Sequence, residues 1–185
     1  MEPTVRRLVS APVAALAGLV VLAGCGADDE AGESTMGTIR TAPPEPQEQQ
    51  VPQAEPRVEA DCPYLSAEEA AQLNGERVTQ VRIDDQIDPP ACFFSSADGT
   101  VQLTTTVYTL DSAEEATRLV DETAPPGVTD RSDVEGGWTG GRSGGPGGAL
   151  VALAREEQVL AVQSTQEQSV KAQRVAELVA PRIAD

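Results

Sequence analysis

The N-terminus of this chain has the three-part pattern of an export signal, and that pattern decides in which compartment the rest of the chain folds. Arg6 and Arg7 supply a positive start, and residues 8–23 are almost wholly apolar. The strongly apolar part, residues 13–23, is shorter than the roughly 20 apolar residues that span a hydrocarbon core. The pattern therefore predicts export to an oxidising compartment, where paired cysteines form disulfides.

Small residues come directly before Cys25, in the run Leu22-Ala23-Gly24-Cys25. This run resembles a lipobox, the signal of bacterial lipoproteins. The resemblance implies that residues 1–24 are removed as a signal peptide and that the sulfur of Cys25 carries a diacylglyceryl group. The protein would then be lipid-anchored at the extracytoplasmic face of the cell membrane, since two acyl chains suffice for stable anchoring. Secretion with a free Cys25 and an uncleaved membrane helix are the alternatives.

The chain has three cysteines, and lipidation of Cys25 would leave Cys62 and Cys92 as a pair. Outside the cytoplasm such a pair is expected to oxidise to a disulfide. Closing this loop of about thirty residues would stabilise the fold by roughly 3–4 kcal/mol in the chain-entropy model. A redox-active pair is the alternative, but the sequence has neither a Cys-x-x-Cys spacing nor a nearby His or Lys to lower a thiol pKa.

Composition excludes several classes of function. The chain has 30 acidic and 13 basic side chains, which gives a net charge of −17. Without a basic cluster the chain is not expected to bind nucleic acid or an anionic membrane surface directly, so only the lipid would hold it at the membrane. The chain has no histidine, which removes Ser-His-Asp and Cys-His catalysis and the commonest zinc ligand. No cofactor is predicted.

The chain divides into a tether and one domain. Residues 25–60 are acidic, rich in Pro and Gln and poor in large apolar residues. Such a segment cannot bury a core, and its Pro content and like charges extend it. It is therefore predicted to be a disordered linker. Residues 61–185 are predicted to form a single α+β domain.

Periodicity within this domain predicts the order α-β-β-β-α-β-β-α. Ser66 and Ser112 each begin a capping box that opens a helix, and a third helix begins at about Gln168. Alternating or fully apolar runs predict strands over residues 77–83, 91–96, 101–109, 149–155 and 159–165. The economical architecture is about five mostly antiparallel strands with the helices packed on one face.

Residues 128–148 lack periodicity and are dominated by glycine, as in the run GGWTGGRSGGPGG over residues 136–148. The Lys and the helix start of a phosphate-binding loop are missing, so the segment is predicted to be a flexible connection. Trp138 and Arg142 place an aromatic and a cation on it, which suggests a contact for a ligand or partner. The alternative is that Trp138 packs into the core.

Asp84, Asp85 and Asp88 form an acidic cluster before Pro89. Carboxylates suit Ca²⁺, and a carboxylate pair suits glycoside hydrolysis. The spacing matches no EF-hand, so these residues are weak candidates for either role. A solvated acidic turn is the simpler interpretation.

Two sequence blocks surround the paired cysteines: Cys62-Pro63-Tyr64-Leu65 and Asp88-Pro89-Pro90-Ala91-Cys92-Phe93-Phe94. With the runs at residues 74–77, 107–108 and 136–138, they resemble an uncharacterised actinobacterial family of exported proteins and lipoproteins, a domain of unknown function. The resemblance covers most of residues 61–185. It implies a disulfide-linked envelope domain with no assigned activity, cofactor or substrate, and therefore supplies no catalytic residues.

These observations favour a non-catalytic binding, adaptor or sensor module, tethered to the membrane by its lipid and with an envelope protein or the cell wall as partner. Two alternatives stay open. One is a carboxylate-based envelope hydrolase that uses Asp84, Asp85 and Asp88. The other is a binder of cations or small ligands through the glycine-rich segment.

Overall fold

Three α-helices and eight strands form within residues 53–183, the part of the chain that this computed structural model describes. The helices are α1 (Ala67–Asn74), α2 (Ala113–Thr123) and α3 (Ser169–Val179), and the 3₁₀ turn Ala180–Arg182 follows α3. The strands are β1 (Val58–Glu59), β2 (Gln80–Asp84), β3 (Ala91–Ser95), β4 (Val101–Thr109), β5 (Asp130–Val134), β6 (Trp138–Gly145), β7 (Gly148–Arg155) and β8 (Gln158–Ser164). The predicted signal peptide, Cys25 and most of the predicted linker lie outside the described residues.

All eight strands belong to one antiparallel sheet with the order β1-β2-β3-β4-β8-β7-β6-β5. The predicted mixture of helices with antiparallel strands is confirmed, but the count of five strands is wrong. The additional strands are β1, β5 and β6. β1 lies N-terminal to the domain boundary placed at residue 61, and the other two form within the glycine-rich segment.

β6 has no recognisable strand pattern because four of its eight residues are glycine, in the sequence WTGGRSGG. Glycine is depleted in strands and offers no side chain from which an alternation could be read. The strand is nevertheless paired along its length, with β5 on one side and β7 on the other. Its identity as a strand therefore depends on its neighbours and not on its own residues.

Helices cover both faces of the sheet, so the prediction that they pack on one face is wrong. Along β7, Val151 and Leu153 pack in a core cluster with residues of α1 and α3. The intervening Ala152 packs in a second cluster with Ala116 and Val120 of α2. Because successive side chains of a strand point to opposite faces, α1 and α3 lie on one face and α2 lies on the other.

The predicted capping box forms at α1. The Ser66 Oγ accepts a hydrogen bond from the Glu69 amide at 3.2 Å, and the Glu69 carboxylate accepts one from the Ser66 amide at 3.0 Å. At α2 only half of the predicted box forms: the Ser112 Oγ accepts from the Glu115 amide at 3.2 Å, but the Glu115 carboxylate does not accept the reciprocal bond from the Ser112 amide. At the other end of α1, Gly75 adopts the left-handed conformation with φ of 80°, which glycine allows at little cost. None of the helices in this part of the chain is long and apolar enough to cross a membrane.

The predicted disulfide between Cys62 and Cys92 is confirmed, with an S–S distance of 2.10 Å. It joins the segment before α1 to β3, in the core. Tyr64 strengthens the same junction, because its hydroxyl donates to the Pro90 carbonyl at 2.8 Å or to the Thr105 carbonyl at 3.2 Å. Burial raises the pKa of Tyr64 to about 12, so the hydroxyl keeps its proton for these bonds at physiological pH.

Glu69 also joins α1 to the C-terminal turn, which leads to a prediction about pH. Arg182 Nη1 and Nη2 donate to the two Glu69 carboxylate oxygens at 2.9 and 2.7 Å. These bonds, and those from Ser66, lower the pKa of Glu69 from 4.5 to about 2. A carboxylate with a depressed folded pKa contributes stability above its unfolded pKa, and that stability is lost as the pH falls through the folded value. Glu69→Gln is therefore expected to destabilise the protein at pH 7, with a penalty that shrinks as the pH falls from about 4.5 toward 2.

Urea unfolding of the wild type and the variant at pH 7 and pH 3 measures this difference. Glu68→Gln, at the exposed neighbouring position of α1, is the matched control for loss of one negative charge. A penalty for Glu69→Gln that is the same at both pH values would contradict the assigned role of the ion pair.

Candidate functional site

A cleft of about 430 Å³ opens on the face of the sheet that carries α2. Four of its lining residues form one row across four adjacent strands: Thr104 on β4, Gln163 on β8, Leu150 on β7 and Ser143 on β6. Each residue is the direct cross-strand partner of the next. Paired residues in an antiparallel sheet point to the same face, so the row presents its four side chains together.

The cleft exists because α2 covers only part of this face. The helix packs over Ala152 and Val159. Ala152 pairs with Ala161, and both lie two residues along their strands from Leu150 and Gln163. The row therefore lies on the same face as the α2 contacts but beyond the strand positions that α2 covers.

The β6–β7 hairpin borders the cleft and packs tightly on the end of β8 and on the connection from β8 to α3. A Cβ atom added at Gly144 would lie 2.3 Å from the Glu167 carbonyl oxygen, and one added at Gly148 would lie 2.3 Å from the Ser164 carbonyl oxygen. These distances leave no room for a side chain. The prediction of a flexible connection is wrong, because the segment forms β5 and β6 and because Gly144 and Gly148 pack closely against backbone atoms.

Gly144 and Gly145 provide a matched test of this packing. Gly144→Ala is expected to lower the free energy of unfolding by about 1–3 kcal/mol, the usual cost of overpacking, since backbone atoms block the added methyl group. Gly145→Ala is expected to have little effect, because a Cβ atom added there would meet no atom of residues 53–183 within 4 Å beyond its chain neighbours. Urea unfolding of both variants measures the difference, and equal stabilities would contradict the tight seating of this turn.

A buried polar network lies on the α1 and α3 face of the sheet, behind the cleft. The Ser164 hydroxyl donates to the Asn74 side-chain oxygen at the end of α1, and Lys171 Nζ donates to the Asn74 carbonyl at 3.0 Å. The Thr165 amide donates to the Gln102 carbonyl at 3.0 Å. These bonds connect α1, β4, β8 and α3, and they fix the end of the sheet on which the cleft lies.

The side chains in the row have hydrogen-bonding capacity that the fold does not use. Within residues 53–183, the side chains of Thr104, Ser143 and Gln163 have no hydrogen-bond partner. Gln102 lies beside them in the wall and is only 2% exposed. Its amide nitrogen donates to the Arg77 carbonyl at 2.9 Å, whereas its buried Oε1 has no partner in the described part of the chain. None of the acidic or basic residues within positions 53–183 lines the cleft.

Trp138 and Arg142 do not line this cleft. Trp138 is 1% exposed and packs in the core, with the Arg155 guanidinium 4.9 Å from its ring centroid. Arg142 donates from Nη1 to the Gln173 side chain of α3. Both side chains therefore lie on the α3 face, opposite the cleft, and the structure agrees with the alternative that Trp138 belongs to the core.

The acidic cluster is not assembled into a site. Asp84 is buried, whereas Asp85 and Asp88 are exposed. The Asp84 carboxylate accepts hydrogen bonds from the Glu55 amide at 2.8 Å and from Arg57 Nε at 3.0 Å. Its burial alone would raise the pKa, but these bonds and the Arg57 charge outweigh it and lower the pKa of Asp84. Asp84 thus fastens the segment before β1 to the sheet.

Within residues 53–183, no group of three or more His, Cys, Asp and Glu side chains is arranged to hold a metal ion. The weak candidates for Ca²⁺ ligands, Asp84, Asp85 and Asp88, accordingly do not come together there. A polar cleft on β4, β6, β7 and β8 takes their place as the candidate site.

The sequence did not predict Thr104, Ser143, Leu150 and Gln163 as site residues. Thr104 lies on a strand whose alternation is clear, so its face could be read from the sequence. Its neighbours in the row could not be predicted from the sequence. Their alignment depends on the pairing register of strands that are distant in the chain, such as β4 and β8.

Comparison with known proteins identifies the family but not an activity. No curated protein matches the chain significantly. A family model for a domain of unknown function, DUF2020, matches residues 42–184. The match includes all eight strands and all three helices of the described region and every residue that lines the cleft. The chain therefore belongs to the DUF2020 family.

Proposed function

We propose that this protein is a non-catalytic binding module of the cell envelope, held at the outer face of the cytoplasmic membrane by a lipid on Cys25. The observation that carries the proposal is the cleft with its row of Thr104, Gln163, Leu150 and Ser143. Ligand sites are typically concave, partly apolar and provided with a few polar groups. Strands hold such groups more precisely than loops do.

The chemistry of the cleft supports binding rather than catalysis. General acid–base catalysis needs a titratable group within hydrogen-bond reach of the substrate, and the cleft is lined by neutral side chains. The hydrolase alternative has less support, because a general acid needs a raised pKa whereas that of Asp84 is lowered. Hydroxyl and amide groups without protein partners suit recognition, since they both donate and accept hydrogen bonds.

The proposed anchor is supported by the run at residues 22–25 and by the disulfide, which is typical of oxidising compartments. Mass spectrometry of the N-terminal peptide is expected to show a diacylglyceryl group on Cys25 in the wild type. In Cys25→Ser the lipid should be absent and residues 1–24 should stay attached, because both modifications depend on the lipobox. A wild-type N-terminal peptide without a lipid would contradict the lipid anchor.

The proposed binding role is tested in intact cells with a photo-crosslinking amino acid at position 150. Leu150 lies in the middle of the row, so a bound ligand should be within reach of the reactive group. The matched control is the same amino acid at Gln72, an exposed position on α1, on the other face of the sheet. Adducts are expected at position 150 only. Adduct levels at position 150 no higher than at position 72 would contradict the proposed site.

A further inference from the structure

We infer that the cleft binds a neutral carbohydrate chain, an inference that rests on the proposed binding function. Charge gives the first argument. A charged ligand would have to leave water for a cleft lined by neutral residues, and an unpaired charge is costly to desolvate. The net charge of −17 further opposes anions approaching the protein.

Hydrogen-bonding chemistry gives the second argument. The side chains of Thr104, Ser143 and Gln163 each offer both donors and acceptors, and the fold leaves them unpaired within the described residues. A purely apolar ligand would bury these groups without partners, at a free-energy cost. Sugar hydroxyls also both donate and accept, so a carbohydrate can pair with every polar member of the row. Leu150, between Gln163 and Ser143, can pack against the C–H face of a sugar ring.

The geometry of the row favours a chain over a single compact molecule. Adjacent strands lie about 4.8 Å apart, so the row from Thr104 to Ser143 extends over about 14 Å, perpendicular to the strands. β4, β8 and β7 each have a strand on both sides. Their backbone groups are thus committed to the sheet, so a peptide could not bind to these three strands by adding a strand. Recognition along β4, β8 and β7 depends on side chains, as suits a carbohydrate chain that lies across the strands.

Isothermal titration calorimetry tests this inference on the full chain, purified from membranes in a detergent without a sugar headgroup. The probes are maltotetraose, cellotetraose, mannotetraose and chitotetraose, with tetragalacturonate as the charged comparison. At least one neutral tetrasaccharide is expected to bind, and more tightly than the charged one. The affinity should be the same at low and high salt, since no ion pair contributes to it.

Variants assign the binding to the row. Thr104→Val and Gln163→Leu each remove hydrogen-bonding groups at nearly constant volume, and each is expected to weaken binding about threefold to tenfold. Thr109→Val, at an exposed position outside the cleft on the same strand as Thr104, is expected to bind like the wild type. Thermal unfolding of each variant shows whether it is folded, so that lost binding is not confused with lost structure.

Two results would overturn the carbohydrate inference: no binding of any neutral tetrasaccharide, or binding that Thr104→Val and Gln163→Leu leave unchanged. The crosslinking experiment separates this failure from a failure of the proposed function. If position 150 crosslinks to a protein while no tetrasaccharide binds, the cleft is a binding site for another class of ligand. If position 150 gives no adducts and no tetrasaccharide binds, both proposals fail.

Discussion

Trp138→Ala is expected to lower the free energy of unfolding by about 3–5 kcal/mol, the usual cost of truncating a large buried aromatic side chain. Trp138, the first residue of β6, is 1% exposed and packs in the main core cluster, which also contains residues of α3. Loss of its ring would leave a cavity and would remove the contact with the Arg155 guanidinium. Because domains are typically stable by only about 5–15 kcal/mol, this single change would remove a large part of the total.

Trp138→Phe and Val128→Ala are the controls for this prediction. The Trp138 Nε1 has no hydrogen-bond partner in the described part of the chain, so phenylalanine loses ring volume but no hydrogen bond. We expect Trp138→Phe to cost clearly less than Trp138→Ala. Val128 belongs to the same glycine-rich segment but is 84% exposed, and Val128→Ala should have almost no effect. Urea unfolding followed by circular dichroism measures all three variants, and a loss below about 1 kcal/mol for Trp138→Ala would contradict its role in the core.

Replacing Cys62 and Cys92 together by alanine is expected to lower the free energy of unfolding by about 3–4 kcal/mol. The disulfide closes a loop between residues that are 30 positions apart, and its loss lets the unfolded chain sample more conformations. The loop contains α1 and β2, so the effect should extend beyond the immediate surroundings of the sulfur atoms.

Reduction of the wild-type disulfide is an independent test of the same stabilisation. Dithiothreitol should shift the urea midpoint of the wild type toward that of the double variant and leave the double variant unchanged. Cys25→Ser, which keeps the paired cysteines, should respond to reductant like the wild type. If the double variant unfolded at the same urea concentration as the oxidised wild type, the disulfide would not stabilise the fold.

Local signals in the sequence predicted several elements correctly. Ser66 and Ser112 begin helices because a hydroxyl can pair with a backbone amide within the same turn, whatever the rest of the fold does. β4 has the bounds predicted from its alternating side chains, Val101–Thr109. The disulfide followed from the count of cysteines. In each case the physical cause acts between residues close in sequence, or through a covalent bond.

Non-local features were missed or predicted wrongly. β6 is a strand because β5 and β7 pair with it, not because its glycines favour an extended conformation. α2 lies on the opposite face from α1 and α3, although β7 and β8 already had apolar residues on both faces in the sequence. That pattern indicates that both faces of the sheet are buried. It therefore favours helices on both faces over a single layer of helices.

The candidate site shows the same division. Thr104, Ser143, Leu150 and Gln163 are ordinary residues in the sequence, and none belongs to a motif. They become one row only when four strands align in a single register, and they stay accessible because α2 packs over other positions of the same face. The sequence by itself determined the caps, the clearest strand and the cysteine pair, because short-range hydrogen bonding, alternation and covalent chemistry act locally. Only the tertiary structure decided the strand count, the placement of Trp138 and the cleft, because each depends on pairing and packing between distant segments.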